Sequence, residues 1–280
     1  MSLFDRLTRR SLRRSVVDPH PAAASLLADD YYQRHSALVK DVLSDPAMMS
    51  LFERGKRLPE GYGAGWDERV VEFPWLLAQG LGGRVLDAGS TLNHPHIVAP
   101  CLEMADSLTI TTITPEPTTF TDHGVSYVYG DLRELPFRDG WFDTVVCAST
   151  IEHVGMDAAI YGRDEPRAKD PAAEQRRALK ELRRVLRPGG RLLLTVPYGR
   201  AEDHGWLVQF DEQRLENLIG SVAPAHRATT IYSYDERGWQ PSSPAAAAGA
   251  SYRDIHASPE AAADGAMAAR AVACVSLRFE

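Results

Sequence analysis

Short apolar runs recur along the middle of the chain, and they alternate with stretches whose apolar residues follow helical spacing. The run 142–150 is almost continuously apolar, which is typical of a strand buried on both faces. Residues 172–186 place Leu179, Leu182 and Val185 on one stripe with charged residues opposite, which predicts an amphipathic helix. The other runs that predict strands in this region are 84–86, 108–114, 125–130 and 191–197. This alternation favours a doubly wound α/β sheet of parallel strands joined by right-handed crossovers.

The last part of the chain departs from this alternation. Residues 212–220 predict a helix, whereas 226–234 and 269–279 predict two strands with no helical pattern between them. A strand that is reached without a crossover helix can return antiparallel. Between these two strands, residues 240–266 are rich in alanine, proline and serine, and this low-complexity composition predicts a mobile insertion.

The N-terminal part is predicted to be helical and locally basic. Apolar residues follow helical spacing over 21–58, and a glycine-rich break follows at 59–68. Residues 1–20 contain five arginines, so this leader is either a basic helix that contacts an anionic membrane surface or a solvated tail. The predicted organisation is a leader with helices over 1–60, acting as a lid or cap, and one domain over 61–280.

Composition and charge argue against several classes of protein. The net charge is −7, and no basic patch with interleaved aromatic residues stands near the strand ends, which argues against nucleic acid as a partner. No apolar stretch is long enough for a membrane span. The three cysteines form no CxxC pair, so we expect no disulfide framework and a reducing, cytoplasmic location. His94 and His96 flank Pro95 and need not converge, so no metal site is expected.

Candidate chemistry begins at the end of the first predicted strand, in the turn RVLDAGSTLNHPH. Gly89 has no Cβ and lets the backbone approach a ligand. The later glycines of a dinucleotide fingerprint are replaced by Ser90 and the residues after it, which disfavours a pyrophosphate ligand. The carboxylate of Asp87 favours a cationic ligand over a phosphate. The turn is therefore either a ligand-binding turn or a plain connection between strand and helix.

Acidic side chains follow the second and third predicted strands. In a Rossmann site, an acid at the end of the second strand usually binds ribose hydroxyls. Thr112 holds the usual position here, and Glu116 is either a substitute for that acid or a surface residue of the loop. After the third strand, Asp131 can accept a hydrogen bond from an exocyclic amine such as adenine N6, and Leu132 offers an apolar face to the ring.

The fourth predicted strand ends in the strongest catalytic candidates. Ser149 and Thr150 stand at the strand end, and Glu152 and His153 follow in the next turn. A histidine with an unperturbed pKa of about 6.5 can accept a proton near physiological pH. The alternative is a histidine that only bonds to backbone groups at the start of a helix.

Three stretches in this order resemble the class I S-adenosylmethionine-dependent methyltransferases. VLDAGS is similar to the first motif of that family, YGDLRELPFRDGWFDTVVCASTIEHV to its third-strand and fourth-strand motifs, and ALKELRRVLRPGGRLLLTVP to the helix and fifth strand that follow. The resemblance covers roughly residues 69–220. It implies a Rossmann-like sheet of seven strands, the last one antiparallel, and S-adenosylmethionine as the cofactor.

The resemblance also implies a set of cofactor-binding positions, which in this chain are Asp87, Gly89, Ser90, Glu116, Asp131, Leu132, Ser149 and Arg69. Those in the first turn are expected on the methionine and ribose side, Asp131 and Leu132 at the adenine, and Ser149 at the closing wall of the pocket. Arg69 either pairs with the cofactor's carboxylate or forms an ion pair at the surface. The missing later glycines and Thr112 are departures from the family's pattern.

The function that the resemblance implies is transfer of a methyl group to a small-molecule acceptor. Likeness to bacterial small-molecule and glycan-modifying methyltransferases favours a sugar or metabolite hydroxyl, for which His153 or Glu152 is the expected base. One alternative is a protein that binds the cofactor without turnover, since fold alone does not decide function. The other is an NAD-dependent oxidoreductase, which the missing glycines disfavour.

Overall fold

A computed structural model describes residues 29–254, 264, 266 and 268–280 of the chain. The basic leader predicted over residues 1–20 lies outside the described residues, as do 255–263 and 265 of the predicted insertion and residue 267 after it. No helix in the described part is long and apolar enough to cross a membrane.

A mixed sheet of eight strands forms the centre of the described molecule. In chain order the strands are β1 (Arg84–Ala88), β2 (Ser107–Thr112), β3 (Ser126–Tyr129), β4 (Phe142–Ala148), β5 (Leu186–Pro197), β6 (Glu202–Asp203), β7 (Val208–Gln209), β8 (His226–Asp235), β9 (Gly238–Ser242) and β10 (Ala271–Arg278). The order across the sheet is β3-β2-β1-β4-β5-β10-β8-β9, and β6 and β7 form a separate two-stranded hairpin.

The topology confirms the doubly wound α/β fold. Strands β1 to β5 run parallel, and β10 is inserted antiparallel between β5 and β8. Seven strands therefore follow the predicted arrangement, and β9 adds an eighth at the edge through a hairpin with β8. Strand β5 begins before the predicted position 191, because Leu186 already pairs with Phe142 of β4.

Helices cover both faces of the sheet. The described helices are α1 (Asp29–Ser44), α2 (Pro46–Glu53), α3 (Arg69–Ala78), α4 (Pro95–Met104), α5 (Pro171–Val185), α6 (Glu212–Gly220) and α7 (Pro244–Ala247). Three of them begin at an aspartate whose carboxylate accepts hydrogen bonds from the first-turn amides, a strongly preferred capping arrangement. These residues are Asp45, Asp170 and Asp211.

Two apolar cores lie on opposite faces of the sheet because successive side chains of a strand point to opposite sides. Val145 of β4 packs with Leu182 of α5 in one core, whereas Val146 packs with Leu76 of α3 in the other. The second core also contains Val39 of α1, so the N-terminal helices are joined to the sheet by apolar packing.

The prediction of a mobile insertion over 240–266 is wrong for its first part. Residues up to Ser242 belong to β9, and α7 follows directly. The physical reason is Trp239, which is fully buried and donates a hydrogen bond from Nε1 to the carbonyl oxygen of Trp66 at 3.0 Å. Composition alone does not reveal this, because the alanine-rich stretch only begins after the residue that anchors the strand.

Candidate functional site

The carboxyl ends of β1, β2, β3 and β4 surround a cavity of about 180 Å³. This is the edge of an open α/β sheet at which ligands bind. The cavity is completed by residues between His153 and Glu165, which follow β4. Thr150 lines the cavity too, as do residues that the sequence did not single out, including Thr111, Thr114, Arg133, Met156 and Tyr161.

Half of the predicted site residues line this cavity. Those that do are Gly89, Asp131, Leu132, Ser149 and His153. The remaining predicted residues are not part of its lining, and these are Asp87, Ser90, Glu116, Glu152 and Arg69. For three of these five, Asp87, Glu152 and Arg69, the side chains are buried or bonded next to the cavity, as described below.

Gly89 is required by packing within the protein. Its backbone has a φ of +128°, and a Cβ at this position would lie 2.1 Å from Oγ1 of Thr150. The Thr150 hydroxyl is held there because it donates a hydrogen bond to the carbonyl oxygen of Ala148 at 2.9 Å. The glycine is expected from the sequence to let a ligand approach, whereas the nearest constraint in the structure is the side chain of Thr150.

The buried side chain of Asp87 stabilises the turn after β1 by a hydrogen bond. Its side chain is fully buried, and Oδ2 accepts a hydrogen bond from the backbone N–H of Leu92 at 2.8 Å. Burial raises the pKa of Asp87 to about 7. This carboxylate therefore shapes the turn through Oδ2, and its contact with the cofactor stays a prediction.

Two non-glycine residues that directly follow β1 and β4 adopt left-handed backbone conformations. Ser90 has a φ of +65° and Ser149 a φ of +42°. Such conformations are costly for residues with a Cβ and cluster at functional sites. The Oγ of Ser90 is also buried without a hydrogen-bond partner among the described residues.

A buried carboxylate links α3 to the ends of two strands. Glu72 is fully buried, and its Oε1 accepts hydrogen bonds from the hydroxyls of Ser149 at 2.6 Å and Thr195 at 2.5 Å. Its Oε2 accepts a hydrogen bond from Nη1 of Arg69 at 2.5 Å. Arg69 is thus engaged in an ion pair, and the Ser149 hydroxyl is directed at Glu72.

The acid predicted at the adenine is also paired. The Arg133 guanidinium donates to both oxygens of Asp131, with Nε 2.9 Å from each. It also donates to Glu165 at 2.5 Å and to Glu174 at 3.1 Å. The adjacent arginine holds the pKa of Asp131 below its usual range despite partial burial. Arg133 therefore ties the end of β3 to the segment that covers the cavity.

That segment, residues 155–170, is here called the strap. Tyr161 and Glu165 of the strap line the cavity. Its base is closed by a hydrogen bond from the N–H of Ala168 to the carbonyl oxygen of Gly155 at 2.9 Å, and Arg163 donates to the carbonyl oxygen of Ile113 at 2.9 Å. The strap thus spans the cavity from the end of β4 to the loop after β2.

The predicted catalytic pair forms a short 3₁₀ turn after β4. Nε2 of His153 lies 4.0 Å from Oε1 of Glu152, and Glu152 is almost fully buried. Burial raises the pKa of Glu152 to about 8 and lowers the pKa of His153 to about 4. At neutral pH the pair therefore consists of a protonated carboxyl beside a neutral imidazole.

Trp206, which the sequence analysis missed, orients this histidine. The Trp206 carbonyl oxygen lies 3.1 Å from Nδ1 of His153, and the two rings stack with centroids 5.2 Å apart. A carbonyl oxygen can only accept, so this bond requires the proton on Nδ1 and leaves a lone pair on Nε2. The Tyr161 hydroxyl lies 3.1 Å from the same Nδ1 and can accept from it as well. Tyr161 meets the same imidazole edge-on, with ring centroids 5.6 Å apart.

The described residues contain no group of three histidine, cysteine or acidic side chains that could hold a metal ion. His94 and His96 lie with their ring centroids 5.6 Å apart, and both pack against Phe73. Burial lowers the pKa of each to about 4, so both imidazoles are neutral at physiological pH.

The central part of the chain matches a known protein family. A family model described as a methyltransferase domain matches residues 100–194, about a third of the chain. The match spans α4 to β5 and includes both His153 and the strap, but not the turn after β1. Over these residues the chain is similar to a methyltransferase domain, in line with the resemblance that its sequence motifs indicate.

Individual proteins show more distant likenesses. A protein of Encephalitozoon cuniculi that is provisionally named a methyltransferase is 37% identical over 73 residues, which is 26% of this chain. The chain spans about 28% of the length of that curated relative. An S-adenosylmethionine-dependent methyltransferase structure from Thermotoga maritima has 13% identity and a TM-score of 0.48, covering 87% of this chain and 99% of that chain.

A further similar structure is the 1,6-didemethyltoxoflavin N1-methyltransferase of Burkholderia thailandensis, solved with 1,6-didemethyltoxoflavin and S-adenosylhomocysteine bound. It has 15% identity and a TM-score of 0.45, covering 95% of this chain and 93% of that chain.

Proposed function

We propose that this chain, which carries a class I S-adenosylmethionine-dependent methyltransferase domain, transfers a methyl group to the hydroxyl of a small molecule. The observation that carries the proposal is the position of the Glu152–His153 pair at the rim of the cavity formed by the strand ends. His153 lines the cavity, and both residues stand directly after the strand that closes one of its walls.

The cavity residues fit the cofactor that the family uses. S-adenosylmethionine supplies an electrophilic methyl group on a sulfonium when it is bound. Asp131 would accept from the adenine amine, sharing its carboxylate with Arg133, and Leu132 would pack against the ring. The methionine and ribose side of the cofactor is proposed to lie at the first turn. Ser90 supports this placement, because its buried Oγ has no hydrogen-bond partner among the described residues.

The charges around Arg69 also bear on the binding of the cofactor's carboxylate. The side chain of Arg69 is 28% exposed although Glu72 is fully buried. A guanidinium has five N–H donors, so one contact with Glu72 leaves donors for a further carboxylate. We therefore keep Arg69 as a binding residue in the proposal, with Glu72 fixing its position.

His153 is the proposed base. With Nδ1–H donating to the Trp206 carbonyl, Nε2 can accept the proton of the acceptor hydroxyl as the oxygen attacks. Ionised Glu152, at 4.0 Å from Nε2, would stabilise the imidazolium that forms. Because the pKa of Glu152 is about 8, this assistance becomes complete only above that pH. Positioning of the two reactants contributes on the order of 7–11 kcal/mol to such a reaction.

The strap favours a small acceptor. It crosses the cavity and is held at Arg133 and at the carbonyl oxygen of Ile113, so the site is partly covered. The lining combines apolar residues with a few polar groups, as is usual in small-molecule sites. No nucleic-acid contact forms part of the proposal.

The N-terminal helices are proposed to act as a cap, with the domain itself beginning near residue 61. Nε2 of His35 in α1 lies 3.0 Å from Oδ1 of Asp67, and the same oxygen accepts from the backbone N–H of Arg69 at 3.1 Å. Helix α1 therefore contacts the turn that carries a proposed binding residue. A cytoplasmic location is part of the proposal, since all three cysteines are free and buried.

Calorimetric titration with S-adenosylmethionine, S-adenosylhomocysteine and NAD tests the cofactor. Binding of the first two ligands without NAD supports the proposal, and binding of NAD alone contradicts it. Formation of S-adenosylhomocysteine with a panel of sugar and metabolite alcohols then tests turnover. Cofactor binding without turnover of any alcohol, amine or thiol would indicate a protein that binds the cofactor but does not use it.

A further inference from the structure

A second cavity, of about 210 Å³, lies between α5, α6 and the β6–β7 hairpin. It shares no lining residue with the cavity at the strand ends. Four cationic side chains and two carboxylates line it, namely Arg167, Lys169, Arg176, Arg214, Asp170 and Asp203. The lining therefore carries an excess of two positive charges, in a protein whose net charge is −7.

The cations are incompletely neutralised. Arg167 is fully paired, with its guanidinium nitrogens 2.9 and 2.5 Å from the carboxylate of Asp203. In contrast, Nη1 of Arg214 donates to the carbonyl oxygens of Glu202 and Gln209 at 3.3 and 3.2 Å, which leaves its charge unpaired there. Among the described residues, Lys169 makes no ion pair within 4.0 Å, and Arg176 is 3.9 Å from Asp170.

One buried amide points to a ligand independently of these charges. Gln175 lines the cavity, is only 4% exposed, and its Nε2 has no hydrogen-bond partner among the described residues. A buried donor without an acceptor costs free energy that a bound acceptor would recover. The first residues of the 15-residue helix α5, Pro171 and Ala172, also line the cavity, although the Asp170 carboxylate already accepts from one N–H of this first turn.

We infer that this cavity binds a phosphate group, either free phosphate or the phosphate of a small organic ester. A phosphate carries a charge of about −1.5 to −2 at neutral pH, which matches the excess of positive charge. Its oxygens are hydrogen-bond acceptors, and Gln175, Lys169 and Arg214 in the lining are donors. The apolar side chains of Val208, Phe210 and Leu218 offer a surface for the organic part of an ester.

The phosphate site shares two elements with the candidate active site. The strap carries Tyr161 to the first cavity and Arg167 to the second, and the β6–β7 hairpin carries Trp206 to His153 and Asp203 to the second cavity. Binding of phosphate would compete with Asp203 for Arg167. Because the two cavities share these elements, the phosphate group belongs either to the methyl acceptor or to a separate ligand. In both cases its binding does not depend on methyl transfer.

Calorimetric titration of the full chain with inorganic phosphate tests the inference. We expect saturable binding that Gln175→Met, which keeps the side-chain size but removes the donor, weakens about tenfold. Lys169→Ala removes an exposed cation and should weaken binding several-fold without affecting the fold. Arg237→Ala is the control, since it removes an exposed cation from the β8–β9 turn, which does not line this cavity, and should leave phosphate binding unchanged.

Absence of saturable phosphate binding overturns the inference, as does equal binding by the wild type and all three variants. The source of the phosphate is distinguished by comparing phosphorylated and unphosphorylated alcohols as methyl acceptors. Turnover confined to the phosphorylated forms, and weakened by Lys169→Ala, places the phosphate on the acceptor. Equal turnover of both forms, with phosphate still bound, makes it a separate ligand.

Discussion

The backbone carbonyl oxygen of Trp206 lies 3.1 Å from Nδ1 of His153, and the indole stacks on the imidazole at an interplanar angle of 24°. The contact joins residues 53 positions apart in the sequence. It selects the tautomer in which Nε2 is free to accept a proton, so the β6–β7 hairpin controls the orientation of the proposed base.

Truncation of the stacking ring tests this relationship. Trp206→Ala should lower turnover by about 10- to 100-fold because the imidazole loses its fixed orientation, whereas the dissociation constant of S-adenosylmethionine stays within a factor of about two. Trp206→Phe keeps a stacking ring and should retain most of the turnover. The measurement is S-adenosylhomocysteine formation beside calorimetric binding. An equal loss in both variants would contradict the stacking role.

The pH dependence of turnover tests Glu152. Since burial raises its pKa to about 8, the rate should rise with pH through that value as the carboxyl ionises. Glu152→Gln cannot ionise and should remove this rise while lowering the rate at high pH. The pKa of His153, about 4, lies too low to cause a second change of the rate with pH in the neutral range. A rise that persists in Glu152→Gln would assign it to another group, including the acceptor.

Gly89→Ala tests the packing at the first turn. The added Cβ meets Thr150 and the backbone must keep a φ of +128°, so we expect a loss of more than about 2 kcal/mol in the free energy of unfolding. The double variant Gly89→Ala with Thr150→Ala removes the nearest clash and should recover part of this loss. Chemical denaturation measures both. No recovery would indicate that backbone strain alone determines the cost.

Stability as a function of pH tests the burial of Asp87. Its pKa is raised in the folded state, so its stabilising contribution is present below its unfolded pKa, near 4, and is lost as pH rises through about 7. Asp87→Asn keeps an oxygen that accepts from Leu92 and cannot ionise. Relative to the wild type, this variant should gain on the order of 4 kcal/mol between acidic and neutral pH. A constant difference between the two proteins would contradict the buried, proton-binding carboxyl.

A mutant cycle distinguishes the two roles of Arg69. Arg69→Met leaves the buried Glu72 without its cation and should destabilise the fold by roughly 2–3 kcal/mol, the partial exposure of Arg69 reducing the larger cost of a fully buried pair. Glu72→Gln in the same chain should recover most of that loss. If Arg69 also binds the cofactor's carboxylate, the double variant recovers stability but not S-adenosylmethionine affinity. Recovery of both would make Arg69 a structural residue only.

The sheet and the location of the site could be predicted from the sequence. The apolar runs that became β1, β2, β4 and β5 are long enough and regular enough to define strands, and parallel strands bring their carboxyl ends to one edge. Residues placed directly at those ends, such as Gly89 and His153, therefore meet at one cavity. Strand β9 was missed because its anchor, Trp239, depends on a partner far away in the sequence.

The sequence by itself determined the order of strands and helices and which strand ends carry polar residues, because both depend on local periodicity and on the rules that connect parallel strands. Tertiary structure alone decided the direction and ionisation of each side chain. Asp87 bends into its own turn, and Glu152 is buried beside His153 although the two are consecutive in the sequence. These outcomes depend on packing against segments distant in the chain, such as Trp206 and Glu72, and the desolvation that shifts a pKa exists only once those segments are in place.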